Sequence, residues 1–209
     1  MFLSRERIRQ LCSQEFTSII QWDTFNEGNL QQASYDLRLG SESYIVGDEV
    51  PTQLTADKQQ YLTIAPGQFA LLMTFEVLNI PDDILCFISL RNSFKMQGLV
   101  NISGFHVDPT FKGKLVFAVN NVGPSDIRLK FKDSTFSIFF AQVAGNTGEA
   151  RKEFGGELPL HYVQLLGGSS VTLTRLQKEI EELKTKVLMY APLGIALLIA
   201  LILNLLRGK

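Results

Sequence analysis

Between Gln31 and Val143 the chain alternates short apolar runs with short polar gaps. The runs are SYDLRLG, YLTIA, QFALLMTFEVL, ILCFISL, KLVFAVNNV, IRLKF and TFSIFFAQV, and the gaps include NIPDD, DPTFKG, VGPSD and KDS. β-Branched and aromatic residues fill the runs, while Gly, Pro and Asp fill the gaps. No helical period intervenes between them. The pattern therefore predicts a mainly β fold and favours a jelly-roll-like barrel or sandwich over a parallel βαβ sheet.

The two ends follow a different period. Residues 4–14 predict one short amphipathic helix, with Ser4 as its N-cap and Ile8, Leu11 and Cys12 at helical spacing. Residues 145–170 show scattered glycines and no period, so they read as an arm ending in the flexible joint GGSS at Gly167–Ser170. Beyond it Leu173, Leu176, Ile180, Leu183 and Val187 recur in alternating steps of three and four, a heptad seam about two heptads long. From Val187 to Leu206 the sequence VLMYAPLGIALLIALILNLL carries no charge and matches the ~20 residues that a bilayer core requires. The expected organisation is a β domain over 1–145, an arm and linker over 146–170, a heptad helix over 171–186, a transmembrane helix over 187–206 and a basic tail over 207–209.

The seam continues into the apolar segment through Tyr190, Gly194, Leu197, Leu201 and Asn204, and Ala196 with Ala200 forms a small-xxx-small pair. Asn204 either hydrogen-bonds its copies in neighbouring chains or sits at the interfacial end of the span. Both readings fit. Gly194, Ala196, Ala200 and Asn204 are the candidates for helix association.

Charge and cysteine content narrow the partners. The 20 Lys and Arg balance 21 Asp and Glu, and no basic block occurs, so a nucleic-acid backbone is not the expected ligand. Cys12 and Cys86 lie far apart with no CxxC, and the two histidines, His106 and His161, have no second ligand at metal spacing. No metal site is expected, and a reducing compartment suits the thiols. The start MFLSRERIRQLCSQ carries arginines and no long apolar stretch, unlike a secretion signal. A single-pass, C-terminally anchored protein with a cytoplasmic head is the expectation.

Four stretches then fall in an order that resembles a known family. SYDLRLG at Ser34–Gly40, QFALLMTFEVLNIPDDILCFISLRNSFKMQGL at Gln68–Leu99, HVDPTFKGKLVFAVNNVG at His106–Gly123 and STFSIFFAQV at Ser134–Val143 are similar to the motifs of the dCTP deaminase and trimeric dUTPase family. FLSRERIRQL is similar to the deaminase N-terminal helix. The resemblance spans roughly residues 2–145. It implies a dUTPase-like jelly roll, a homotrimer with sites at subunit interfaces, and a deoxyribonucleoside triphosphate carrying Mg²⁺ as ligand, with no obligatory resident cofactor.

Residue by residue, the resemblance makes LRNSFKMQGL the phosphate-facing loop. Arg91 and Ser93 offer a guanidinium fork and a hydroxyl, Asn92 stands where the deaminases place a catalytic serine, and Gly98 aligns with the family's glycine. Asp108, before Pro109, sits at a turn that faces the deoxyribose, and in the dUTPase branch the matching aspartate orients the attacking water. His106 and Asp108 complete the candidate nucleotide-binding set. Asp36 is read as a partner in an intrachain or intersubunit ion pair, or else as a site residue.

Two departures bear on the chemistry. Met96 replaces an arginine of the deaminases, and Ala118 replaces their general acid/base glutamate; a methyl group moves no proton. The zinc route to the same reaction needs H-x-E and P-C-x-x-C, and neither string occurs. Hydrolysis needs chiefly Asp108, phosphate donors and a metal on the triphosphate, and the closing arm of that branch has only the poor match ARKEFGG, with Arg151 and Phe154. Three functions stay open: a catalytically impaired nucleotide-binding or sensing module, an active dUTPase-like pyrophosphatase, and a membrane effector in a nucleotide-linked defence response.

Overall fold

The computed structural model describes residues 1–13, 18–145, 158–165 and 173–207. ARKEFGG, with Arg151 and Phe154, and the GGSS joint lie outside the described residues. The chain divides into two compact units, residues 1–170 and 171–209.

The first unit opens with α1 (Arg5–Cys12), whose N-cap Ser4 accepts the Arg7 amide at 3.4 Å and whose Ile8 and Cys12 are buried. The strands follow: β1 (Tyr35–Ile45), β2 (Thr52–Gln53), β3 (Tyr61–Ile64), β4 (Phe69–Thr74), β5 (Leu78–Asn79) and β6 (Ile84–Leu90). After the one-turn helix α2 (Asn92–Lys95) come β7 (Leu99–Asn101), β8 (His106–Val107), β9 (Lys112–Gly113), β10 (Val116–Asn121), β11 (Ile127–Lys130) and β12 (Ser134–Gln142). The main sheet runs β7-β10-β4-β1-β12-β6-β8, with β2 beside β1, and its pairings are antiparallel.

The seven apolar runs all become strands, because each presents one face to a common core. β6 and β10 bury every second residue, the signature of a sheet wet on one side. The sheet also curls. The rings of Phe117 on β10 and Phe136 on β12 stack with centroids 3.8 Å apart, although β4 and β1 separate these strands in the sheet. The long β1 turns this corner, pairing with β12 through Tyr35–Arg38 and with β4 from Leu39 onward, with register shifts between. At Gly40 a Cβ would fall 2.6 Å from the Thr74 carbonyl oxygen, so only glycine lets β1 and β4 approach there.

Cys12 and Cys86 are free and buried. Burial pushes the Cys12 thiol up to about 12 and that of Cys86 up as well, so both are neutral and poor nucleophiles at neutral pH. Neither is expected to react with a thiol reagent in the native protein, and two thiols are expected in denaturant. Rapid native labelling would contradict this packing.

Residues 158–165, expected to be part of an arm, contain the short helix α3 (Leu160–Leu165). The second unit is α4 (Leu173–Arg207), one continuous helix of 35 residues in which the heptad and apolar segments merge. Over Glu179–Ala200 it is long and apolar enough to cross a membrane, with a mean hydropathy of 1.5. On such a helix, at ~100° per residue, Ala200 lies ~40° from Asn204, with Gly194 ~80° from Asn204 on one side and Ala196 ~80° from it on the other.

Candidate functional site

The stretch expected to be a phosphate-facing loop is the end of β6 followed by the single turn α2, with Asn92 and Ser93 exposed on it. Arg91 does not extend freely into solvent. Its Nη1 donates to Asp36 Oδ2 at 2.6 Å, Asp36 Oδ1 accepts from Ser137 Oγ at 2.8 Å, and the Arg91 amide donates to the Thr135 carbonyl at 3.0 Å. Of the two ion pairings open to Asp36, the structure has the intrachain one. The Arg91 side chain keeps 41% exposure, so its remaining donors can still reach an anion.

Two contacts brace α2. Arg91 holds one side; Gly98 holds the other. Gly98 has φ +98°, its carbonyl accepts the Val122 amide at 2.9 Å, and a Cβ there would fall 2.4 Å from Gly123 Cα. Its place in the site is thus explained by backbone packing: the turn after α2 rests directly on the turn after β10. Gly123, its counterpart, closes the stretch HVDPTFKGKLVFAVNNVG, and nothing local marks it as the contact of Gly98.

Beside α2 lies a hollow of about 390 Å³ lined by Ser89, Lys95, Leu99, Val100 and Asn101. Lys95 Nζ donates to Ser89 Oγ at 2.6 Å. Met96, where the resemblance places an arginine, is 78% exposed, and the neighbouring Lys95 is the second cation of this loop beside Arg91.

His106 and Asp108 come together, with Nε2 and Oδ1 3.5 Å apart. The turn after them is tight: Thr110 takes φ 67° and the Phe111 amide reaches back to the Asp108 carbonyl at 3.4 Å. This turn is not near Arg91. β8 pairs with β6 through Cys86–Val107 and Phe87–His106, which sets Asp108 level with Leu85, six residues from Arg91. At ~3.3 Å per residue the two halves lie roughly 20 Å apart, too far for one triphosphate to bridge within one chain.

Ala118 lies on the outer side of β10, opposite Leu71 of β4, and packs into an apolar cluster with Tyr44, Leu71 and Leu158. The Glu42 carboxylate lies at the edge of this cluster, where Oε2 accepts the Leu158 amide at 2.6 Å. Among the described residues no group of three His, Cys, Asp or Glu side chains is placed to hold a metal ion.

A second charged centre joins Arg38 of SYDLRLG to Glu76 of QFALLMTFEVL. Glu76 is fully buried and accepts from Arg38 Nε at 2.6 Å, the Arg38 amide at 2.8 Å and the Tyr35 hydroxyl at 3.4 Å. Arg38 also donates to the Thr24 carbonyl and lies over the Phe75 ring, 4.6 Å from its centroid. Burial pushes the Glu76 carboxyl up and the guanidinium opposes that rise. The pair organises β1 against the turn after β4. Its sequence signal was a lone acid inside the apolar run FALLMTFEVL.

A family model described as dCTP deaminase-like matches residues 2–143. The dCTP deaminase of Thermococcus kodakarensis is 32% identical over 123 residues, 59% of this chain and 76% of that protein. That of Pyrococcus abyssi is 32% identical over 119 residues, 57% of this chain and 74% of that protein. Among solved structures, the 2'-deoxycytidine 5'-triphosphate deaminase of Agrobacterium tumefaciens superposes with a TM-score of 0.55 at 17% identity. That superposition covers 68% of this chain, which spans about half (49%) of the solved one, and it shows the shared fold. The family match ends before α3 and α4. The chain belongs to the dCTP deaminase-like family.

Proposed function

We propose that the chain is a membrane-anchored, homotrimeric dCTP deaminase-like protein whose head binds a deoxyribonucleoside triphosphate and is impaired in catalysis. The observation that carries this reading is Ala118. Deamination at C4 of cytosine needs one group to take a proton from water and pass it to the leaving amine. The position aligned with that group is a methyl packed among Tyr44, Leu71 and Leu158. Arg91, Ser93, Lys95, His106 and Asp108 keep the means to hold phosphate and sugar.

Assembly supports the same reading. With the Arg91 turn and the Asp108 turn at opposite ends of β6, a complete site requires a second copy to bring one to the other, as a cyclic trimer does. Phe2 and Phe105, 59% and 64% exposed, flank Phe87 on the outer side of β6 and offer apolar surface for such a contact. On α4 Gly194, Ala196, Ala200 and Asn204 spread over ~160° of the helix, small and polar positions at which neighbouring copies can approach. Mg²⁺ would come bound to the triphosphate and would neutralise its oxygens, with Arg91, Ser93 and Lys95 as the phosphate donors of this chain and Asp108 on the sugar side.

The second reading is a dUTPase-like pyrophosphatase, favoured by the retained His106–Asp108 pair at its tight turn. Full-length protein in detergent micelles, given dCTP or dUTP with Mg²⁺, separates the two. Binding by calorimetry is expected, with neither ammonia nor pyrophosphate released above an Asp108→Ala control. Ammonia release would overturn the loss of deamination, pyrophosphate release would favour the second reading, and no binding would leave the head a scaffold. A role as an effector in a defence response rests on the architecture alone, a nucleotide-family head joined to an apolar helix.

A further inference from the structure

Leu176, Ile180, Leu183 and Val187 are exposed on α4 and, at ~100° per residue, fall within ~60° of one another on the helix surface. Glu179 flanks this seam on one side and Lys184 on the other, each ~40° beyond it. Lys184 meets Glu181 of its own helix at 3.7 Å, with both side chains largely in water. Thr185 lies on the opposite face, where its Oγ donates to the Glu181 carbonyl at 2.8 Å. A row of apolar side chains bordered by opposite charges is the layout of a helix that packs against another helix.

We infer that the occupant of this seam is α4 of a second copy, held parallel and in register as a two-stranded coil. Ile180 and Val187 take the a positions of the heptad and Leu176 and Leu183 the d positions, and β-branched residues at a with Leu at d favour two strands. Glu179 then stands at g and Lys184 at the e position five residues on, so in a parallel pair each Glu179 faces the partner's Lys184. Lys186, the other charged flank position among the described residues, falls opposite Ala191 and meets no like charge. Direction follows from the uncharged stretch that begins at Val187. An antiparallel pair would put the two stretches at opposite ends, where one bilayer cannot hold both.

The direction rests on the membrane reading above, and one consequence rests on the trimeric reading of the head. Helices that pair do not match heads that close in threes. Both are satisfied first at six chains, two trimers joined through α4.

Full-length protein in isolated membranes tests the pair through Leu183→Cys, since facing d positions lie within disulfide reach. Cys12 and Cys86 are buried, so the wild type is the blank. On oxidation with copper phenanthroline nearly all chains are expected as covalent dimers. A three-stranded coil would leave about one chain in three unlinked and would overturn the pair, as would equal linking through Thr185→Cys on the opposite face. Glu179→Lys and Lys184→Glu, each added to Leu183→Cys, are expected to slow linking roughly threefold or more, and both together to restore it. No rescue in the double exchange would overturn the register. Sedimentation in micelles reads the count: six chains are expected, two would keep the pair and remove the trimeric head, and three would overturn the pair. Alkaline carbonate reads the anchor alone. Chain retained in the membrane but not linked overturns the pair, whereas chain released overturns the anchor and the parallel direction with it.

Discussion

Arg38→Ala is expected to cost the β domain about 3–5 kcal/mol, the range for removing one partner of a buried ion pair. Glu76 has no exposed surface, and Arg38 supplies two of its hydrogen bonds and its counter-charge. Removing the guanidinium keeps the backbone amide but leaves the charge uncompensated in a low-dielectric site. Arg9→Ala is the contrast, since Arg9 pairs with Glu6 and Glu27 at an exposed surface where water screens the pair, and its stability is expected to stay close to wild type. Urea unfolding followed through Trp22, the single tryptophan of the chain, reads both.

The variant's pH dependence follows from the same burial. A carboxyl whose folded pKa is raised binds its proton more tightly folded than unfolded, so the part of the loss due to the bare charge vanishes below the unfolded value of about 4.5. It grows as pH rises from there and levels off above the folded pKa. Arg38→Ala is therefore expected to lie closest to wild type in acid and farthest from it at neutral pH. A loss below about 1 kcal/mol at neutral pH would show that Glu76 is not held as a buried charge.

The ion pairs show where sequence legibility ends. The long strands could be read because a half-buried strand writes its period into the chain, as ILCFISL does for β6. β2, β8 and β9 are two residues each, too short to carry a period, and exist because a partner strand passes beside them. α2 is one turn long, fixed by contacts on both sides that no local propensity reveals. Asp36 and Arg91 are 55 residues apart, so SYDLRLG offered a charged strand but not its partner. In the candidate site the residue types were legible from the motifs. That Arg91 is tied to Asp36, that Asp108 lies at the other end of β6, and that Ala118 packs in a cluster with Leu158 are facts of pairing and packing.

Gly98→Ala is expected to have the second large effect, and it reaches the candidate site directly. At φ +98° an alanine is strained by about 1–2 kcal/mol, on the scale of a left-handed residue. Its Cβ must also find room 2.4 Å from Gly123 Cα and N, and overpacking of that kind costs about 1–3 kcal/mol. The sum is about 2–5 kcal/mol, measurable as a lowered unfolding midpoint. Neither neighbour yields readily, since a Cβ on Gly123 would itself fall 2.0 Å from the Gln97 carbonyl oxygen. The chain relieves the clash by lifting the turn after α2, which carries Asn92, Ser93 and Lys95 away from the frame set by Arg91 and Asp36. If those groups hold phosphate, misplacing them by an ångström weakens nucleotide binding by roughly tenfold or more at temperatures where the variant stays folded. Met96→Ala, on the same turn but 78% exposed, is expected to bind as the wild type does. Equal weakening in both variants would show that phosphate contact depends on side-chain volume at 96 rather than on the backbone contact at Gly98, and a wild-type melt for Gly98→Ala would show that the two glycine turns do not touch.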